Sequence, residues 1–159
     1  MIELTDAERR IAQWIAEERQ RRNEAAGIRD RSNNPALPGA GPHVVGVPGE
    51  LAFAKLFNVW PDLDTTPRSG GADCERFGET IDVKTTGHPD EGLWAVTSKS
   101  ACPPDHYALM GGRNGKYQFH GFIRHDDLVK YGRVTTRYGR QGYEAPLSSL
   151  SLTQMKFTW

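Results

Sequence analysis

Thr80-Ile81-Asp82-Val83-Lys84-Thr85-Thr86, entered through Glu79 and preceded by Phe77-Gly78, is the stretch on which the fold turns. In a strand, alternate side chains share a face. Ile81, Val83 and Thr85 make an apolar or β-branched side, and Thr80, Asp82, Lys84 and Thr86 a polar row. Alone, Asp-x-Lys on a strand reads equally as a half-exposed strand with water over that row. If Phe77-Gly78 closes a two-residue hairpin loop, Asp73 lies opposite Asp82 with Cβ atoms about 5 Å apart. Facing carboxylates repel unless a cation or proton sits between them, which points to a divalent metal. A one-residue change in the loop would remove the pairing.

Upstream, Pro48 suits the first turn of a helix over 47–58. Glu50 there shares a face with Phe53, Ala54 and Phe57, so its carboxylate points inward and needs a partner. An acid in the first turn also favours the helix dipole, which would account for Glu50 without any site. Further back, Thr5 and Glu8 form a capping box opening a helix that runs to about Ala26 and ends near Gly27. Leu4, Ala7, Ile11, Trp14, Ile15 and Glu18 follow its spacing, with the apolar residues on one face. Residues 28–46, rich in Pro, Gly and Asn, read as a long loop.

Downstream, 93–97, 107–110 and 117–124 read as strands. Asp126 caps a short helix over 127–131 that stops at Gly132. The pattern predicts one α/β domain: 1–46 as N-terminal helix and loop, and 47–159 as the core.

Lys+Arg and Asp+Glu balance at 20 each, so net charge does not select a nucleic-acid partner. The distribution is uneven: 73–91 holds six acids against two bases, and 113–140 seven bases against two acids. An acidic centre beside a basic flank suits a metal-using enzyme with a polyanionic substrate; two solvated faces would look the same. Arg113, Lys116, Arg133, Arg137 and Arg140, interleaved with Tyr117, Tyr131 and Tyr138, are the candidates for backbone contacts, while Phe119 reads as core. No apolar run is long enough to span a bilayer, and the first residues lack the pattern of a signal peptide. The expectation is a cytoplasmic protein in which Cys74 and Cys102 are buried, reduced thiols.

With these residues in place, the chain resembles the PD-(D/E)XK nuclease superfamily, the restriction-endonuclease-like enzymes, and in particular its phage- and prophage-associated members. That superfamily carries an acid before or on its second core strand, acid-x-Lys on the third, and in many members a helical glutamate after glycine. Asp73, Asp82-Val83-Lys84 and Gly49-Glu50 match these features, and His106-Tyr107-Ala108-Leu109 and Phe119-His120-Gly121-Phe122-Ile123 are similar to later strands of the phage-type members. The similarity spans about 46–150. Ala72 stands where the family name has Pro, and 96–104 is too short for the core helix that usually follows the Lys strand.

The resemblance implies a mixed sheet flanked by helices, with the N-terminal helix as an addition, and a metal-dependent endonuclease acting on DNA in the cytoplasm of a host cell. It implies Glu50, Asp73, Asp82 and Lys84 as catalytic residues. Mg²⁺ (or Mn²⁺) would be held by Asp73, Asp82, the Val83 carbonyl and Glu50, since oxygen donors of this kind suit those ions rather than zinc. Three alternatives stand beside this: an inactive nucleic-acid-binding module of the same fold, a nuclease of RNA or branched DNA, and a structural protein of a phage particle in which the acidic group is coincidence. A junction resolvase would work as a symmetric homodimer.

Overall fold

The computed structural model describes residues 1–28, 42–67, 71–88, 90–96, 102–137 and 139–152. Most of the 28–46 loop, Ser69-Gly70, Thr97 and Tyr138 therefore lie outside the described residues.

The decisive strand forms as read. Strands β2 (Cys74–Arg76) and β3 (Glu79–Thr86) pair antiparallel, with Arg76 opposite Glu79 and Cys74 opposite Ile81. Phe77 and Gly78 close the hairpin with φ of 54° and 78°. Two positive φ values give the turn whose twist matches its flanking strands; Gly78 adopts it freely, whereas Phe77 does so at some cost.

Strand β1 (Ile2–Glu3) joins β5 (His106–Arg113) and β6 (Lys116–Arg124) with this hairpin in a sheet ordered β1-β6-β5-β3-β2. Only β3 and β5 run parallel, and Asp82 lies beside Tyr107. The central strand β5 is buried on both faces, which its near-continuous apolar run requires. On one face Ile81, Val83, Ala108, Met110 and Phe122 pack against Ala52 and Phe53 of helix α2 (Pro42–Phe57). Phe119 joins this cluster, as its reading as core implied.

On the other face Tyr107, Leu109 and Ile123 meet a second, antiparallel sheet and the short helix α3 (His125–Tyr131). That sheet is β4 (Leu93–Ala95), β8 (Arg140–Ala145) and β7 (Arg133–Arg137), in that order. The architecture is mixed α/β, a mixed sheet flanked by helices. Among the described residues no helix follows β3; β4 stands in that connection.

Four local expectations change. Helix α2 begins at Pro42, so Pro48 and Glu50 sit inside it rather than in its first turn. The dipole of the first turn therefore does not account for Glu50. Helix α3 starts at His125 with Arg124 as an N-cap without a side-chain bond, and Asp126 belongs to its first turn.

In helix α1 (Asp6–Ala25) the Thr5–Glu8 capping box forms, but the buried stripe is Ala12, Ile15 and Ala16, while Ile11 and Trp14 are 50% and 62% exposed. Alanines let α1 approach closely, and with Val47 of α2 they make a third small cluster. Ile11 and Trp14, were they turned towards α2, would hold the helices apart. No described helix is long and apolar enough to cross a membrane. Both cysteines are free thiols, but only Cys74 is buried as expected; Cys102, in the segment leading into β5 and outside the core clusters, is exposed.

Candidate active site

Gly49 sets the position of the first acid. A Cβ added there would lie 2.0 Å from Thr85 Oγ1, so α2 rests on β3 with only the Thr85 side chain between them. Glu50, the next residue, is carried to the edge of β3 and shares its electrostatic environment with Asp82 and Lys84. Asp73 arrives from the other side. Its N–H donates to the Ile81 carbonyl at 2.9 Å, continuing the hairpin, and its carboxylate accepts the Val83 N–H at 2.6 Å. The ladder ends at Cys74 opposite Ile81, and Asp73, one residue beyond it, bonds Ile81 and Val83 on either side of Asp82 instead of pairing with Asp82 across the ladder as the sequence suggested. The hairpin register, the close approach at Gly49 and the strand alternation thus bring Glu50, Asp73, Asp82 and Lys84 together.

The charges in this group are unevenly compensated. Lys84 Nζ lies 2.7 Å from the Asp82 carboxylate. Burial opposes the charged form of Lys84, but Asp82 and Asp73 outweigh it and hold the ammonium above the ordinary lysine range. Burial pushes Glu50 up, against the pull of Arg19 at 3.0 Å, and Asp82 adds to the rise. Asp73 is raised well above the usual carboxylate range, first by burial and then by Glu50 and Asp82. Among the described residues no cationic side chain bonds it. Below it, burial and the same acids push the Cys74 thiol up to about 12, so it stays protonated and inert.

Asp73 gives the fold a pH dependence of definite sign. A carboxyl whose folded pKa is raised contributes stability that is complete below its unfolded pKa and lost as pH rises through the folded one. Metal-free protein should therefore weaken as pH climbs out of the ordinary carboxylate range and through the elevated pKa of Asp73. Asp73→Asn keeps an acceptor for Val83 and removes the charge, so its urea midpoint should fall less over that range, with only the lesser dependence of Glu50 remaining. Parallel curves for wild type and variant would show that Asp73 carries no such strain.

The donor set suits a hard cation: three carboxylates and the Val83 carbonyl, all oxygen. A partly buried carboxylate that accepts one N–H, feels Lys84 only at a distance and lies next to two other acids is the kind of group an Mg²⁺ or Mn²⁺ ion would relieve. Two of the three carboxylates are held by Lys84 and Arg19, and among the described residues no three His, Cys, Asp or Glu side chains form a ready-made ligand group.

The candidate backbone-contact residues divide between two sheets. Arg113 and Lys116 flank the β5–β6 turn, with Lys116 3.8 Å from Glu3. Arg133 and Arg137 both bond Glu144, and Arg137 also bonds Glu91. Arg140 lies opposite Arg137 across β7–β8, its Nε buried without a hydrogen-bond partner among the described residues. Tyr131 is exposed, whereas Tyr117 is buried in the core.

Two residues near the acids escaped the reading of the sequence. Arg19 reaches Glu50 from α1; its spacing of three and four from Ala16 and Ile15 is the signal that places it on the buried stripe. Tyr107 sits beside Asp82 across β3–β5, with its hydroxyl 3.4 Å from His125 Nδ1. Burial, then Asp82, push its phenol up to about 12, so it remains a neutral donor.

No curated protein and no solved structure matches the chain. A family model described as a family of unknown function, DUF5843, matches residues 1–117. The matched span contains Arg19, Glu50, Asp73, Asp82, Lys84 and Tyr107, and ends before Arg133, Arg137 and Arg140. The chain is a member of the DUF5843 family.

Proposed function

We propose that this protein is a metal-dependent endonuclease of DNA, with the restriction-endonuclease-like arrangement of the PD-(D/E)XK enzymes. The observation that carries the reading is Asp73: a carboxylate buried beside Glu50 and Asp82, raised well above its usual range, and paired with no described cation. Carboxyl groups whose ionisation is made this costly by their surroundings cluster at functional sites.

Asp73, Asp82, the Val83 carbonyl and Glu50 would hold Mg²⁺ or Mn²⁺. When bound, the ion supplies Lewis-acid polarisation of a phosphate and a lowered pKa for water. Lys84, kept charged by Asp82 and Asp73, would face the phosphate oxygens and stabilise negative charge as it develops. Tyr107, a buried neutral phenol beside Asp82, keeps a donor there without adding charge. Arg113, exposed at the β5–β6 turn, remains available to a polyanion and Lys116 is tied only to exposed Glu3 at 3.8 Å, whereas the carboxylates beside Arg133 and Arg137 compete for theirs more closely.

The test is nicking of supercoiled plasmid with and without Mg²⁺ or Mn²⁺, using wild type beside Asp82→Ala. Metal-dependent cutting lost in the variant is the expected outcome. Absence of cutting by wild type on plasmid, single strands and branched DNA would refute it. One observation favours a second reading, an inactive nucleic-acid-binding module of the same fold: Lys84 and Arg19 already neutralise two of the three carboxylates. Such a module would bind DNA equally well with EDTA present.

A further inference from the structure

Helix α1 carries three arginines in its second half that behave differently. Arg21 and Arg22 fold back onto Glu18 of the same helix, as surface pairs do. Arg19 turns inward and is nearly buried, its side chain only 12% exposed. Its Nη1 donates to Glu50 Oε2 at 3.0 Å. Its Nη2 donates to the Asp62 carbonyl at 2.9 Å and reaches Asp62 Oδ2 at 3.4 Å, and its Nε donates to the Asp64 carbonyl at 3.1 Å.

The turn it grips is built on Asp62, whose Oδ1 accepts the Asp64 N–H at 2.9 Å. The Asp62 N–H in turn donates to the Asp73 carbonyl at 3.0 Å. One planar guanidinium therefore ties together α1, the carboxylate of Glu50, and the segment that holds the backbone of Asp73. A fork of donors can do this; a single ammonium cannot reach all of these acceptors.

We infer that Arg19 is a positioning residue of the acidic site, fixing Glu50 directly and Asp73 through the 62–64 turn, so that α1 is a working part of the site rather than an appendage. What it does for metal uptake rests on the nuclease reading; what it does to Glu50 and Asp73 does not. Groups that orient metal ligands typically change affinity 10- to 100-fold when removed.

The test uses the full chain as wild type, Arg19→Gln, Glu50→Gln and the double variant, with Mn²⁺ binding followed by calorimetry. Arg19→Gln is expected to weaken Mn²⁺ about tenfold, while the double variant is no weaker than Glu50→Gln alone. A merely structural arginine would leave affinity near wild type or give effects that add, and either result overturns the inference. If Arg19→Gln does not fold, Arg19→Lys carries the same test, because it keeps the charge and loses the fork. Amide exchange at Asp62 and Val83, the two N–H groups that hold Asp73, separates the inference from the nuclease reading. Both should exchange faster in the variant while Phe122 in β6 is unchanged. If wild type takes up no Mn²⁺ but this exchange difference is present, the nuclease reading fails and the positioning role stands; unchanged exchange sinks the positioning role.

Discussion

Lys84→Ala should lower metal-dependent nicking by roughly 10²–10³-fold, the usual cost of removing one preorganised group that stabilises developing charge. Affinity for Mn²⁺ should stay the same or tighten. Lys84 is a cation among three acids, bonded to Asp82 at 2.7 Å and drawn also by Asp73. Removing it frees Asp82 for the metal and takes away a repelling charge. The metal-free variant should melt earlier, because Asp82 then loses its partner, and Mn²⁺ should restore part of the loss. This combination of slower turnover, undiminished binding and metal-rescued stability separates a catalytic lysine from one that merely neutralises a carboxylate. Turnover near that of wild type would end the assignment of Lys84.

Gly49→Ala should be the most disruptive small substitution on α2. The added methyl would meet Thr85 Oγ1, Cγ2 and Cβ at 2.0, 2.8 and 2.9 Å. Thr85 is short and branched, so it cannot swing clear; the helix must lift. Overpacking of this kind costs about 1–3 kcal/mol, which corresponds to roughly 3–10 °C in melting temperature for a chain of this size. Lifting α2 also draws Glu50 away from Asp82, so nicking should fall together with stability. Thr85→Ala in the same chain removes two of the three clashing atoms and should return part of both. A single Gly49→Ala variant melting with wild type would show that the contact between α2 and β3 is not tight.

The hairpin was legible because its information is local. Phe77-Gly78 between two short polar-apolar runs specifies a two-residue turn, and the turn specifies a register that runs to Cys74 opposite Ile81 and delivers Asp73 just beyond it, beside Asp82. The capping box at Thr5 and Glu8 is local in the same way. The features that were missed depend on partners distant in the chain. Pro48 inside α2 is tolerated because the helix is held by its packing on α1 and β3, whereas propensity alone places Pro48 at a helix start. Ile11 and Trp14 look like the core face of α1 by size, yet Ala12 and Ala16 are buried because α2 comes close.

The site shows the same division. Asp82 and Lys84 follow from strand alternation, and Glu50 from helical spacing. Arg19 is one of several arginines in its helix, and only the positions of Glu50, Asp62 and Asp64 set it apart. The basic flank shows the reverse: five residues that look like one patch in the sequence divide between two sheets, and Glu144 and Glu91 take up two of the charges.

The most direct measurement is Mn²⁺ binding to metal-free protein near neutral pH, by calorimetry, on wild type, Asp73→Asn and Asp82→Asn. If these carboxylates form a metal site, wild type binds Mn²⁺ with a melting temperature that rises with the ion, and each substitution removes both effects. No Mn²⁺ uptake by wild type, or uptake that survives both substitutions, would contradict it.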